Sequence, residues 1–236
     1  MCTVTYLPYG TGFILTSNRD EAPHRSPKVL SELAGPRGQR LYLPRDTSGG
    51  SWIVASSSGR VACLLNGAYE RHNRHPPYRR SRGLVVLDAF AYETLTAFWD
   101  NYDFVNIEPF TLLLIDQGLF LEGRWDGQRV WLTQVEAAQP QLWASATLYD
   151  ANRRAERKQW FRDWLADHDQ FTVEAIHHFH KTGGVGDRQN DLVMLRPEGV
   201  QTVSVSQVIR TNTYFGIAYD HLLDGERSEQ KILTSP

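Results

Sequence analysis

The sequence predicts an α+β domain in which antiparallel sheets are covered by helices. Two observations carry this. Apolar runs come in pairs joined by short turns, the mark of consecutive β-hairpins. The segments with helical spacing are gathered in two blocks instead of alternating with the strands, which argues against a parallel sheet. The 236 residues, 41% of them hydrophobic, also supply ample material for a core.

The first pair runs from Cys2 to Leu7 and from Phe13 to Glu21, around Tyr9-Gly10-Thr11-Gly12. Alternation places Cys2, Val4 and Tyr6 on one face of the first strand. Once Met1 is removed, Cys2 carries both a thiol and an α-amine, which titrate within about one pH unit of each other. It then contains a nucleophile and its base in one residue. Alone, Cys2 reads better as a small hydrophobe opening a strand. The second strand ends in Asn18-Arg19-Asp20-Glu21, four polar residues that are costly to bury unless they pair or serve a site. Strand geometry puts Asn18 and Asp20 on one face and Arg19 and Glu21 on the other. A surface salt-bridge cluster closing the hairpin is the competing interpretation.

Residues 21–42 are rich in Pro, Gly and charge and read as a long surface loop facing substrate or simply connecting. Gly49-Gly50-Ser51-Trp52 leads into a second hairpin that turns at Ser56 to Gly59 and ends at Asn66, with Cys63 inside its apolar run and inert. Residues 69–82 hold six arginine and histidine side chains around Pro76-Pro77-Tyr78 before the run closes on Arg82. They suit a solvated loop or an anion clamp better than a nucleic-acid patch, because no basic excess exists elsewhere. Ser81 caps a helical pattern reaching Phe98 and Trp99. A meander follows from Phe110 to Thr133, then Leu142 to Leu148. Asp150 to His168 is the clearest helix, with Phe161, Trp164 and Leu165 on one stripe. Thr172 to Lys181 is another, and its His177, His178 and His180 fit surface positions better than a metal site. Gly183 to Asn190 is a glycine-rich loop, followed by strands at Asp191 to Leu195, Gln201 to Ile209 and Thr213 to Tyr219, with a frayed C-terminus.

A net charge of −2 excludes a global field toward nucleic acid or membrane. Two cysteines are too few for a disulfide framework and favour a reducing, cytoplasmic compartment. No secretory signal and no apolar run of membrane-spanning length is visible, so stable membrane insertion is not expected. Neither a cofactor nor a metal is expected.

The initiator Met-Cys and the Asn18–Glu21 motif resemble the NRDE family, also called the transport and Golgi organisation 2 family. The Gly49–Trp52, Ser81–Phe90 and Gly183–Asn190 stretches match its pattern too. The resemblance spans most of the chain. It implies a single domain over 1–236 with a four-layer αββα sandwich, similar to the N-terminal-nucleophile hydrolases of the penicillin V acylase and bile-salt hydrolase type. It also implies a cysteine amidohydrolase acting on a small acyl amide or related acyl compound. Cys2, Arg19, Asp20, Asn66 and Arg188 would be catalytic, and Asn18, Ser145 and Asn190 would contact substrate. Ser145 departs from the asparagine the family pattern carries there. One residue of register leaves open whether Asn18 or Arg19 faces Cys2, and a retained Met1 would amidate the α-amine and disable the nucleophile. The competing class is a carrier of haem, acyl-CoA or lipid using the same cleft, and a homo-oligomer is compatible with either.

Overall fold

The computed structural model describes residues 3–232. Thr3–Tyr9 (β1) and Gly12–Glu21 (β2) form the expected hairpin, with Gly10 at the turn in a left-handed conformation. Around it a six-stranded antiparallel sheet is assembled from distant parts of the chain. Gln141–Ala144 (β10) pairs with β1, while Gln201–Arg210 (β11) pairs with β2 and is followed outward by Phe215–His221 (β12) and Arg227–Lys231 (β13). The second sheet follows chain order: Leu30–Ala34 (β3), Arg40–Pro44 (β4), Ile53–Ser56 (β5), Val61–Asn66 (β6), Phe110–Asp116 (β7), Leu119–Trp125 (β8) and Val130–Gln134 (β9).

Strand alternation builds two cores. Val4, Tyr6, Phe13 and Leu15 turn inward, where the Tyr6 ring meets Phe13 at 5.5 Å and Phe120 of the second sheet at 4.9 Å. Leu7, Ile14 and Ile209 turn outward and meet Phe161 and Phe179 of the helices Ala151–Ala166 (α3) and Val173–Thr182 (α4). Arg82–Asp88 (α1) and Leu95–Asn101 (α2) cover the outer face of the second sheet. The result is the four-layer αββα sandwich. No helix among the described residues is long and apolar enough to cross a membrane.

Four local expectations are corrected. Residues 21–42 are not one long loop, because β3 and β4 pair within and beyond them, Leu33 lying opposite Leu41. Asp191 to Leu195 forms no strand apart from a single bridge to Gln201. The Asp191 carboxylate instead accepts the N–H groups of Val185 and Gly186, and the Leu192 N–H bonds the Gly183 carbonyl, which ties the segment to the glycine loop. Of the C-terminal residues expected to fray, Arg227–Lys231 pairs as β13 with β12, while residues 233–236 lie outside the described residues. Ser81 precedes α1 without a side-chain cap, and Thr94 starts α2 separately by accepting the Ala97 N–H at 3.0 Å.

Trp99 of α2 shows how tightly the helices are set. Its ring stacks on Phe104 at 5.5 Å and lies flat over β8 at Gly123, where a β-carbon would fall 2.0 Å from the indole. Gly123→Ala is therefore expected to destabilise the protein by about 1–3 kcal/mol through overpacking. An unchanged urea midpoint would show that the indole moves aside freely.

Candidate active site

The antiparallel register sets Val4 opposite Ser17, so the N-terminal end of β1 points toward the Arg19–Asp20 end of β2. Cys2, expected to be the nucleophile, lies outside the described residues. The β2 residues from Phe13 to Asp20 are all buried. The pairing of β11 shifts between Thr202 and Ser204, opposite Asp20 and Arg19. Such a bulge re-aims side chains at the end of a strand.

Arg19 and Glu21 share the inter-sheet face, as the alternation requires. The Arg19 guanidinium lies 4.0 Å over the Trp52 ring and pairs with Glu21 and Asp46, each at 3.4 Å. Burial pulls its pKa below the ordinary value, against the pull of these carboxylates. Asp46 also pairs with Arg25 at 3.1 Å and accepts the N–H groups of Ser48 and Gly50. One carboxylate thus fastens the Gly49–Trp52 loop to Arg19. Gly50 sits so close to the start of α1 that a β-carbon there would lie 2.7 Å from the Gly83 carbonyl carbon.

Asp20 faces the helix layer. Its carboxylate accepts hydrogen bonds from Tyr149 Oη at 2.7 Å and Thr202 Oγ1 at 2.6 Å. Above Tyr149, at 3.8 Å, lies the guanidinium of Arg157, a fully buried residue of α3. Arg157 donates to Thr3 Oγ1 at 3.2 Å and to the carbonyls of Asn190 and Asp191 at 2.6 and 3.1 Å. The sequence reading passed over this arginine, although the stripe of Phe161, Trp164 and Leu165 continues back onto it one turn earlier.

Asn18, expected to contact substrate, is turned away from the inter-sheet face and fully buried. Its amide donates to the carbonyls of His180 and Leu192 at 3.0 and 2.9 Å, and its oxygen meets His180 Nδ1. It clamps the end of α4 and the glycine-loop segment onto β2. His180 is no surface histidine, because its ring is fully enclosed with Nε2 2.7 Å from Thr5 Oγ1. Enclosure lowers its pKa to about 3. Among the described residues no group of three or more His, Cys, Asp and Glu side chains is placed to hold a metal.

A cavity of about 280 Å³ opens on the inter-sheet side, with Arg19, Trp52 and Asn66 among its walls. Asn66 ends β6, and its carbonyl accepts Ser145 Oγ at 2.8 Å. That bond joins the end of the second sheet to the segment following β10. The Ser145 hydroxyl also lies 3.1 Å from Thr147 Oγ1, so it is engaged within the protein. The Asn190 amide donates to Asp187 at 2.8 Å. Arg188 is exposed on its turn, away from the cavity wall. Geometry thus brings Arg19 and Asn66 together on the cavity, puts Asp20 on the opposite, helix-facing side of β2, and leaves Asn18, Asn190 and Arg188 elsewhere. Cys63 is buried and its thiol is pushed up to about 12, as expected of an inert cysteine.

The family model described as Transport and Golgi organisation 2 matches residues 1–215. No curated protein matches the chain by sequence. Among solved structures, a mutant of the conjugated bile acid hydrolase from Clostridium perfringens superposes with a TM-score of 0.59 at 9% identity, over 98% of this chain and 92% of that one. A second variant of the same enzyme gives 0.57 at 10% identity, over 98% and 92%. Penicillin V acylase from Agrobacterium tumefaciens gives 0.56 at 9% identity, over 100% and 88%. Likeness at this level of identity establishes a shared fold.

The buried His180 makes a pH prediction. Its folded pKa lies below the ordinary 6.5, so between about 6.5 and 3 the unfolded chain binds a proton that the folded protein refuses. Stability contributed by this group is therefore present above pH 6.5 and falls as the pH drops through that window, by up to roughly 1.4 kcal/mol per unit. Denaturation of wild type and His180→Gln across pH 4–7 should show a shallower slope in the variant. Parallel slopes would remove His180 as the cause.

Proposed function

The chain belongs to the Transport and Golgi organisation 2 family, and from that premise we propose that it is a cysteine N-terminal-nucleophile amidohydrolase acting on a small acyl amide or related acyl compound. One observation carries the proposal: β1 runs its N-terminal end toward Asp20 and toward a cavity walled by Arg19 and Asn66. The solved structures of similar fold come from enzymes named as a bile acid hydrolase and a penicillin acylase, which supports the same class of reaction.

In this mechanism Met1 is removed and the α-amine of Cys2 takes the thiol proton. The sulfur attacks the acyl carbonyl carbon, and Asn66 donates a hydrogen bond to the developing oxyanion, an effect worth about 10²–10³ in rate. The amine returns the proton to the departing nitrogen, leaving a thioester on Cys2. Water, deprotonated by the same amine, attacks the thioester, and the sulfur leaves with a proton. Asp20, fixed by Tyr149 and Thr202, orients the α-amine. Arg19 supplies positive charge that favours the thiolate. Ser145 is a positioning residue, acting through the Asn66 carbonyl. Arg157 anchors Thr3 from the helix side. The reaction needs a reduced thiol, which suits a cytoplasmic setting.

Carriage of haem, acyl-CoA or lipid fits this cavity less well. A volume of about 280 Å³ falls just below the roughly 300–1,000 Å³ of small-molecule sites. Half of its lining residues are charged, whereas a macrocycle or long acyl chain calls for apolar walls.

Intact mass spectrometry before and after exposure to an acylating β-lactone tests the proposal. The expected result is loss of Met1 and a single adduct that persists in Cys63→Ser and vanishes in Cys2→Ala. Asn66→Ala should slow acylation about 100-fold or more. A retained Met1 with no Cys2-dependent adduct would overturn the hydrolase assignment and send the effort to ligand titrations.

A further inference from the structure

The charges around the cavity are not evenly matched. At one end Arg19 and Arg25 share two carboxylates, Glu21 and Asp46. Arg80 is drawn off by Asp88, its Nε 2.8 Å from Oδ2. The opposite wall differs. There the guanidiniums of Arg82 and Arg74 converge on a single carboxylate, Glu108, at 3.2 and 3.3 Å, and His72 approaches the same group at 3.1 Å. Two permanent cations on one anion leave one positive charge in excess. Arg82 cannot shed that imbalance to water, because its side chain is only 16% exposed. Burial accordingly lowers its pKa to about 10 despite Glu108.

Resting on the hydrolase reading, we infer that the amide substrate carries one carboxylate, which seats against Arg82 and Arg74 on the cavity wall. A carboxylate accepts two parallel N–H donors from a guanidinium, a geometry an ammonium cannot offer. It would bring that wall to neutrality, whereas a phosphate dianion would leave surplus negative charge beside Glu108. Arg74, 71% exposed, has the freedom to swing onto an entering ligand, while Arg82 is held by the Pro109 carbonyl at 3.1 Å. The preformed Arg82 therefore sets the position of the ligand and Arg74 closes over it. The substrate class is a small N-acyl amide with a single anionic carboxylate, as in an N-acyl amino acid.

Calorimetry on the full-length Cys2→Ala protein tests this without turnover, using N-acetylglycine and its neutral counterpart N-acetylglycinamide. The carboxylate probe should bind about tenfold or more tightly, the size of a charge-assisted hydrogen bond. Arg74→Gln should cut that preference several-fold, Arg82→Gln should abolish it, and Arg82→Lys should restore part of it. Because Arg74 is exposed, its variant decides the matter even where Arg82→Gln fails to fold. Equal binding, no binding, or a preference that survives both arginine changes would overturn the inference. So would inorganic phosphate competing as well as the carboxylate. A lactone adduct on Cys2 without any carboxylate preference would retain the hydrolase and reject the seat; the reverse result would reject the hydrolase alone.

Discussion

Four consecutive polar side chains at the end of one strand have to be housed between layers that are otherwise apolar, and the two-residue period of that strand dictates how. Asn18 and Asp20 go to the helix side, Arg19 and Glu21 to the inter-sheet side. Each buried member is costly unless it is paired. The surrounding architecture is largely the set of partners that pair them. Asp46 and Trp52 come from the loop before β5 to meet Arg19. Tyr149 and Thr202 close on Asp20, while the end of α4 closes on Asn18. The motif therefore belongs to folding as much as to the proposed chemistry.

The helix layer is coupled to the candidate site through a continuous polar chain. Arg157 reaches through the outer core to Thr3, stacks on the Tyr149 that holds Asp20, and binds the carbonyls of Asn190 and Asp191. Among the described residues no carboxylate pairs with this buried cation; backbone and hydroxyl oxygens take N–H groups of its two terminal nitrogens, and the Tyr149 ring lies against its face. The expected departure at Ser145 finds its place in the same scheme. A hydroxyl suffices where the task is to hold the Asn66 carbonyl and so keep the two sheet ends together.

How much was legible in the sequence follows from the range of the interactions involved. Hairpins and helices are set by local periodicity, so β1, β2, β5, β6 and the meander of β7 to β9 were readable, as was the face assignment of Asn18 to Glu21. The resemblance to a family extended this to the αββα layers. The strands within 21–42 were missed because their partners lie in a Pro- and Gly-rich stretch where turn residues mask short apolar runs. The burial of His180 and Arg157 was missed for a different reason. The polar partners that both do have lie more than thirty residues away, and no local pattern records them. Arg188 stood out because of its position beside glycines, yet glycine freedom there serves a turn around Asp191.

The contact between Gly50 and Gly83 carries an implication for how this scaffold can diversify. On that side the backbone of one loop rests on the backbone of a helix start, leaving no room for a side chain of any kind. That half of the chamber is a fixed mould whose shape cannot be retuned by point substitution. The other half is built from the 69–82 segment, where Arg82 is held in place but Arg74 reaches solvent and can be exchanged cheaply. Relatives that accept different molecules would then keep the mould and rewrite the segment, so sequence variation between 69 and 82 becomes a readable record of ligand choice.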